Sequence, residues 1–135
     1  MQVRLFGEGR KTYEAVKKWD ESYLKSLEEV RKVILSSDPS YKLDQGFVLA
    51  NGPTDALKKL QNEGFKETIL TGGASNNGSF ASSGLIDEVI INIDSVILGK
   101  GIPLFAPSDF EYKLKLLEVK KLSEQTIQLH YKVLK

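Results

Sequence analysis

The chain has 135 residues, 41% hydrophobic and 27% charged, with 19 basic against 18 acidic side chains and a net charge of +1. That length supports one core and is too short for two, so we expect one domain over residues 1–135. The near-neutral balance advertises neither nucleic acid nor an anionic membrane. The absence of cysteine excludes disulfides, thiolate metal sites and cysteine nucleophiles, and it suits a reducing, cytoplasmic compartment. The opening "MQVRLFGEGRK" has too short an apolar run for a signal peptide, and no stretch approaches a membrane span.

In chain order, Val3 to Phe6 reads as a short strand ended by Gly7 and Gly9. "RKTYEAVKKW" reads as a helix, because Tyr13, Val16 and Trp19 share one face. "YLKSLEEVRK" reads as a second, with Leu24, Leu27 and Val30 aligned. "VILSS" and "FVLAN" are short buried strands, closed by "DPS" and by Gly52-Pro53. Thr54 can cap the helix "DALKKLQNE", which turns Leu57 and Leu60 inward and ends at Gly64. "TIL" then leads into Gly72-Gly73 and a short helix.

The last third is strand-rich. "EVIINIDSVIL" predicts a long β-branched strand, apolar on both faces and suited to the middle of a sheet. "YKLKLLEVKK" alternates and then slips phase, which predicts a β-bulge near Leu116. "TIQLHYKVL" alternates cleanly, with Ile127, Leu129, Tyr131 and Val133 on one face. Helices and strands that alternate before a terminal hairpin define an α/β fold. We expect a mixed sheet, mostly parallel with a C-terminal antiparallel hairpin, flanked by helices.

Ligands of open parallel sheets bind beyond the carboxyl ends of the strands, where helix N-termini and free amides converge. Three such ends offer phosphate chemistry. Arg10, Lys11 and Thr12 supply two cations and a hydroxyl, Ser36 and Ser37 supply hydroxyls, and Gly72-Gly73 bares amides ahead of a helix. G-x-G-x-x-T lacks the third glycine of a dinucleotide fingerprint, and there is no P-loop motif. Asp87 and Glu88 are adjacent on a strand, so at most one of them faces a pocket. His130 is the only histidine and has no metal-binding neighbours in the sequence, so it reads as a solvated residue of the last strand, beside Gln128 and Lys132. Lys100, between two glycines, reads as a solvated turn lysine.

Taken in order, "GRKTYE", "VILSS", "GG" after an apolar run, "GLIDEVIINIDSVILGKGIPLF" and the terminal hairpin resemble the dihydrofolate reductase superfamily. The most similar branch is the reductase domain of the bifunctional riboflavin-biosynthesis deaminase–reductase. The most specific stretch is Gly84 to Phe105. The resemblance implies an NADPH-dependent reductase that transfers hydride to a pterin-like or ribosylaminopyrimidine substrate. It implies that Gly9, Arg10, Lys11 and Thr12 hold cofactor phosphates, and that Leu35, Ser36 and Ser37 lie beside the adenosine ribose and its 2′-phosphate. Gly72, Gly73, Ala74 and Ser75 then hold the pyrophosphate, and no catalytic residue is assigned. The resemblance also implies a homodimer. It places the chain's start at the family's second strand, so that a strand is missing between the one ending at Thr71 and the one starting near Glu88. A non-catalytic nucleotide-binding or assembly module is the alternative.

Overall fold

The computed structural model describes Arg4–Leu5, residue 18, residues 20–26 and residues 30–135. The predicted helix over residues 10–19 apart from residue 18, Phe6, and the candidate site residues Gly9, Arg10, Lys11 and Thr12 lie outside the described residues. The described strands are β1 (Arg4–Leu5), β2 (Lys32–Leu35), β3 (Phe47–Ala50), β4 (Ile69–Leu70), β5 (Glu88–Asp94), β6 (Lys113–Lys121) and β7 (Thr126–Leu134). The described helices are α1 (Glu21–Ser26), α2 (Pro53–Asn62) and α3 (Ala74–Ser82).

The fold is mixed α/β, as the alternation of elements predicts. β1 pairs in parallel with β4, and β2 pairs in parallel with β3 over its whole length. β1 also lies against β2, so this layer reads β3-β2-β1-β4. The second layer is antiparallel, in the order β5-β7-β6. Among the described residues no ladder joins β4 to β5.

Burial explains the parallel layer. "KVIL" is buried at every position of β2, as expected of a strand covered on both faces. Val33, Leu35, Ala50, Ala56, Leu60 and Phe80 form one cluster, joining β2 and β3 to α2 and α3. Lys32 enters this layer because its Nζ lies 5.2 Å from the centre of the Phe47 ring and donates to the Val30 carbonyl.

Several boundaries differ from the sequence expectation. The second predicted helix extends through Lys32, but Lys32 already belongs to β2. Asp20 caps α1 instead, its Oδ1 accepting from the Ser22 amide at 2.8 Å and from the Ser22 hydroxyl. α2 begins two residues earlier than a Thr54 cap would place it. Gly52 is the N-cap and Pro53 the first helical residue, where a missing N–H costs nothing. Thr54 therefore does not cap. Asp55 serves this end, its carboxylate accepting from the Asn51 amide at 3.0 Å and from Lys59 at 2.8 Å. Gly64 ends α2 as predicted, at φ +91°, with the Phe65 amide bonding back to the Leu60 carbonyl.

β5 stops at Asp94, four residues short of the predicted end. The Ser95 amide and hydroxyl both donate to the Gln125 carbonyl at the hairpin tip, and the Val96 amide turns back to the Asp94 carbonyl. Residues 96–98 thus leave the sheet, despite their β-branched composition. The bulge falls where the phase slips, between Leu116 and Glu118.

Candidate functional site

The three predicted strand-end segments divide between described and undescribed residues. Leu35 closes β2 and is buried. Ser36 follows it, its amide bonded to the Ala50 carbonyl at 2.9 Å and its Oγ accepting from the Asp38 amide at 3.1 Å. Ser37 is exposed, and Asp38 uses Oδ1 to hold the Ser40 amide and hydroxyl at 2.9 and 2.6 Å. Ser36 thus shapes its own turn, while Ser37 faces solvent at the mouth of the strand.

At the end of β4, Gly72 has φ +109°, a conformation that a side chain strains. The Gly72–Gly73 peptide is cis. Gly73 has φ −73° and ψ −167° and serves as the N-cap of α3. Of the pair, only Gly72 needs to be glycine for its backbone angle. The next residues, Ala74 and Ser75, open the helix. No side chain caps this end, and no acidic residue occupies its first turn. The first helical bond runs from the Asn77 amide to the Gly73 carbonyl, so the amides of Ala74, Ser75 and Asn76 have no partner within the helix. The macrodipole adds partial positive charge at the same place.

Two residues beside this turn were not singled out in the sequence. Asn76 is 8% exposed, and its Nδ2 has no hydrogen-bond partner among the described residues. A buried donor left unmade is costly and calls for a partner. Asn77 Nδ2 donates to the Leu104 carbonyl at 2.7 Å, and the Ala106 amide donates to the Ala74 carbonyl at 2.8 Å. Further along α3, a Cβ on Gly78 would come within 3.1 Å of the Ala106 carbonyl oxygen and the Ser108 Oγ, so segment 104–108 needs glycine there. Tyr112 completes the strap by donating to the Ala81 carbonyl at the other end of the helix. The one available signal was two asparagines in the first turn of a short helix, where asparagine is a poor helix former.

The other candidates fall elsewhere. His130 lies on the polar face of β7, as expected, but it is only half-exposed and is bonded to Glu88 Oε2 at 2.7 Å. The cross-strand register sets Glu88 and Asn92 on that face, and Asp87 instead meets Lys135 at 2.6 Å. Lys100 is exposed. Among the described residues no group of His, Asp and Glu could hold a metal ion, and no helix is long and apolar enough to cross a membrane.

This architecture matches known proteins. A family model for the RibD C-terminal domain matches residues 8–128, and the chain belongs to that family. It is 33% identical to the uncharacterized protein YwjB of Bacillus subtilis (strain 168) over 123 residues, 91% of this chain and 70% of that one. Uncharacterized protein YyaP of the same organism is 28% identical over 107 residues, 79% of this chain and 57% of that one. Among solved structures, a candidate riboflavin biosynthesis protein from Shewanella sp. PV-4 superposes with a TM-score of 0.79 at 23% identity, over 99% of this chain and 75% of that one. Acinetobacter baumannii RibD follows with a TM-score of 0.70 at 20% identity, over 98% of this chain and 47% of that one. The fold is that of the riboflavin-pathway reductases.

Proposed function

We propose that the chain is an NADPH-dependent reductase acting on a pterin-like or ribosylaminopyrimidine substrate, as one cytoplasmic domain over residues 1–135. The observation that carries this reading is the turn after β4. A positive-φ glycine, an uncapped helix start and an orphaned buried Asn76 amide nitrogen stand together there. Bare amides and an unsatisfied donor suit a pyrophosphate, which brings acceptors and negative charge. Gly72, Gly73, Ala74 and Ser75 would hold the pyrophosphate, and Leu35, Ser36 and Ser37 the adenosine ribose. Gly9, Arg10, Lys11 and Thr12 would meet the remaining phosphates, Arg10 and Lys11 supplying the cations a 2′-phosphate requires. When bound, the dinucleotide supplies the hydride, and the protein's part is to bind, orient and exclude water.

A titration of the full chain with NADPH and NADH tests the reading. NADPH should bind at least about tenfold more tightly, with the preference lost in Arg10→Ala. Equal affinities in the unaltered chain would defeat it. A second reading, a nucleotide-binding module without catalysis, is favoured by the β4 and β5 edges that no ladder joins among the described residues and by the exposed Ile102 and Leu104. NADPH binding without oxidation in the presence of a ribosylaminopyrimidine would select it.

A further inference from the structure

The chain carries the dipeptide Asn-Gly twice, and the fold treats the two copies in opposite ways. Asn77 and Gly78 lie inside α3, where both are buried. The Asn77 amide donates to the Gly73 carbonyl at 2.9 Å, and its Nδ2 donates to the Leu104 carbonyl at 2.7 Å. Asn51 and Gly52 lie instead in the bend between β3 and α2, and Asn51 is exposed. Neither the Asn51 side chain nor the Gly52 amide has a hydrogen-bond partner among the described residues.

Asparagine is a thermolabile residue, and the chemistry is intramolecular. Its side-chain carbon Cγ closes a five-membered ring with the backbone nitrogen of the next residue. Once that nitrogen gives its proton to hydroxide, it attacks Cγ. A Cγ–N bond forms, the bond from Cγ to the side-chain nitrogen breaks, and ammonia leaves with a proton from water. Water then opens the cyclic imide at either carbonyl, giving aspartate, or isoaspartate with the backbone running through the β-carbon. Nothing is oxidised or reduced, and only water is consumed. The attack needs a mobile backbone, an unbonded nitrogen and no bulk on the following residue. Asn51–Gly52 meets all three, since a Cβ on Gly52 would find nothing within 4 Å. In α3 the helical ladder directs the Gly78 nitrogen away from the Asn77 side chain, and burial keeps water out.

We propose that Asn51 is a self-modification site, converted by the Gly52 nitrogen to isoaspartate or aspartate in the folded chain, while Asn77 is preserved. Its position gives the reaction consequences. The Asn51 amide donates to Asp55 Oδ2 at 3.0 Å, and the Gly52 carbonyl accepts from the Ala56 amide at 3.0 Å. Isoaspartate lengthens the backbone by one carbon between these two bonds, so both cannot keep their geometry. Either product also adds a carboxylate near Asp55 and near the mouth of β2, because Asn51 follows Ala50, whose carbonyl holds the Ser36 amide. On the cofactor reading, that charge opposes a 2′-phosphate beside Ser36 and Ser37. This last consequence rests on that reading, whereas the modification does not.

Trypsin separates the two copies, because fragment 43–58 holds Asn51 and fragment 67–100 holds Asn77. The full chain is kept for days in neutral buffer and digested, with an immediate digest as control. Fragment 43–58 should gain about 1 Da and split into two isomers, one of them labelled by an isoaspartyl methyltransferase. Fragment 67–100 should keep its mass in the folded chain and change only when the chain is held in guanidinium. Gly52→Ala places a methyl in open space on an extended backbone, and it should slow the change about tenfold or more. Three results would overturn the proposal: a fragment 43–58 that keeps its mass in the folded chain, equal rates for the two fragments there, or a rate indifferent to Gly52→Ala. Asn51→Asp tests the consequence for the cofactor, and it should weaken NADPH about tenfold and NADH less. Unaltered NADPH affinity in that variant would refute the consequence. A parent chain that binds neither dinucleotide would defeat the cofactor reading, and the masses would still decide the modification.

Discussion

Gly72 and Gly73 are adjacent and chemically identical, yet the chain asks different things of them. Gly72 sits at φ +109°, where a Cβ is strained, while Gly73 sits at φ −73°, which any residue adopts. Space is not the constraint at Gly72, since a Cβ there would meet only Asn77 Nδ2, at an ordinary 3.9 Å. Gly72→Ala should therefore lower unfolding stability by about 1–2 kcal/mol, and Gly73→Ala by clearly less. Urea denaturation of the two variants checks this, and equal losses would contradict it. If the turn holds a pyrophosphate, both variants should also show a reduced thermal shift with NADPH. That separates a cost to the backbone from a cost to the ligand.

Among the described elements, α2 has a terminus whose carboxylate responds to pH. The Lys59 side chain, and then the Asn51 amide, hold the Asp55 carboxyl below its ordinary value, against a smaller opposing effect of desolvation. A carboxylate whose folded pKa is lowered stabilises the fold above the unfolded value of about 3.9. That contribution is lost as pH falls through the folded value. Asp55→Asn should cost up to about 1 kcal/mol at pH 7, because it removes an ion pair and first-turn negative charge from a partly exposed site. Variant and parent should converge once the pH has fallen through the folded value. A pH series of chemical denaturation curves would show this, and a difference that persists at low pH would mean that Asp55 acts through packing. By contrast, α3 has no charged residue in its first or last turn. Its position depends on the strap through Leu104, Ala106 and Tyr112.

For the whole molecule, the informative feature is apolar surface without a cover. β2 buries every one of its residues, whereas every residue of β6 is exposed. If a second copy covers the antiparallel layer, association and folding are linked by mass action, and the melting temperature should rise with protein concentration. Over a hundredfold range the expected increase is several degrees, measured by scanning at matched rates. A melting temperature independent of concentration would count against the dimer even if the fold is intact. The β4 and β5 edges, which no ladder joins among the described residues, belong to the same scale, since unpaired backbone groups become costly wherever water is excluded.

Local chemistry made much of this legible in advance. "KVIL" and "TIQLHYKVL" announce their layers through run and alternation, Gly64 announces a helix end, and the phase slip in "KLKLLEVKK" announces a bulge. Each is a relation between residues a few positions apart, which the backbone's own periodicity enforces. What depended on distant residues was not legible. β5 ends at Asp94 because Gln125, 30 positions later than Ser95, takes both Ser95 donors. His130 is partly covered because the register sets Ile90 opposite it and Glu88, two residues along β5, within reach on the same face. Asn76 and Asn77 look alike in the sequence. They differ in the fold because Asn77 finds the Leu104 carbonyl and the Asn76 Nδ2 finds no partner among the described residues, and only packing distributes acceptors among buried donors.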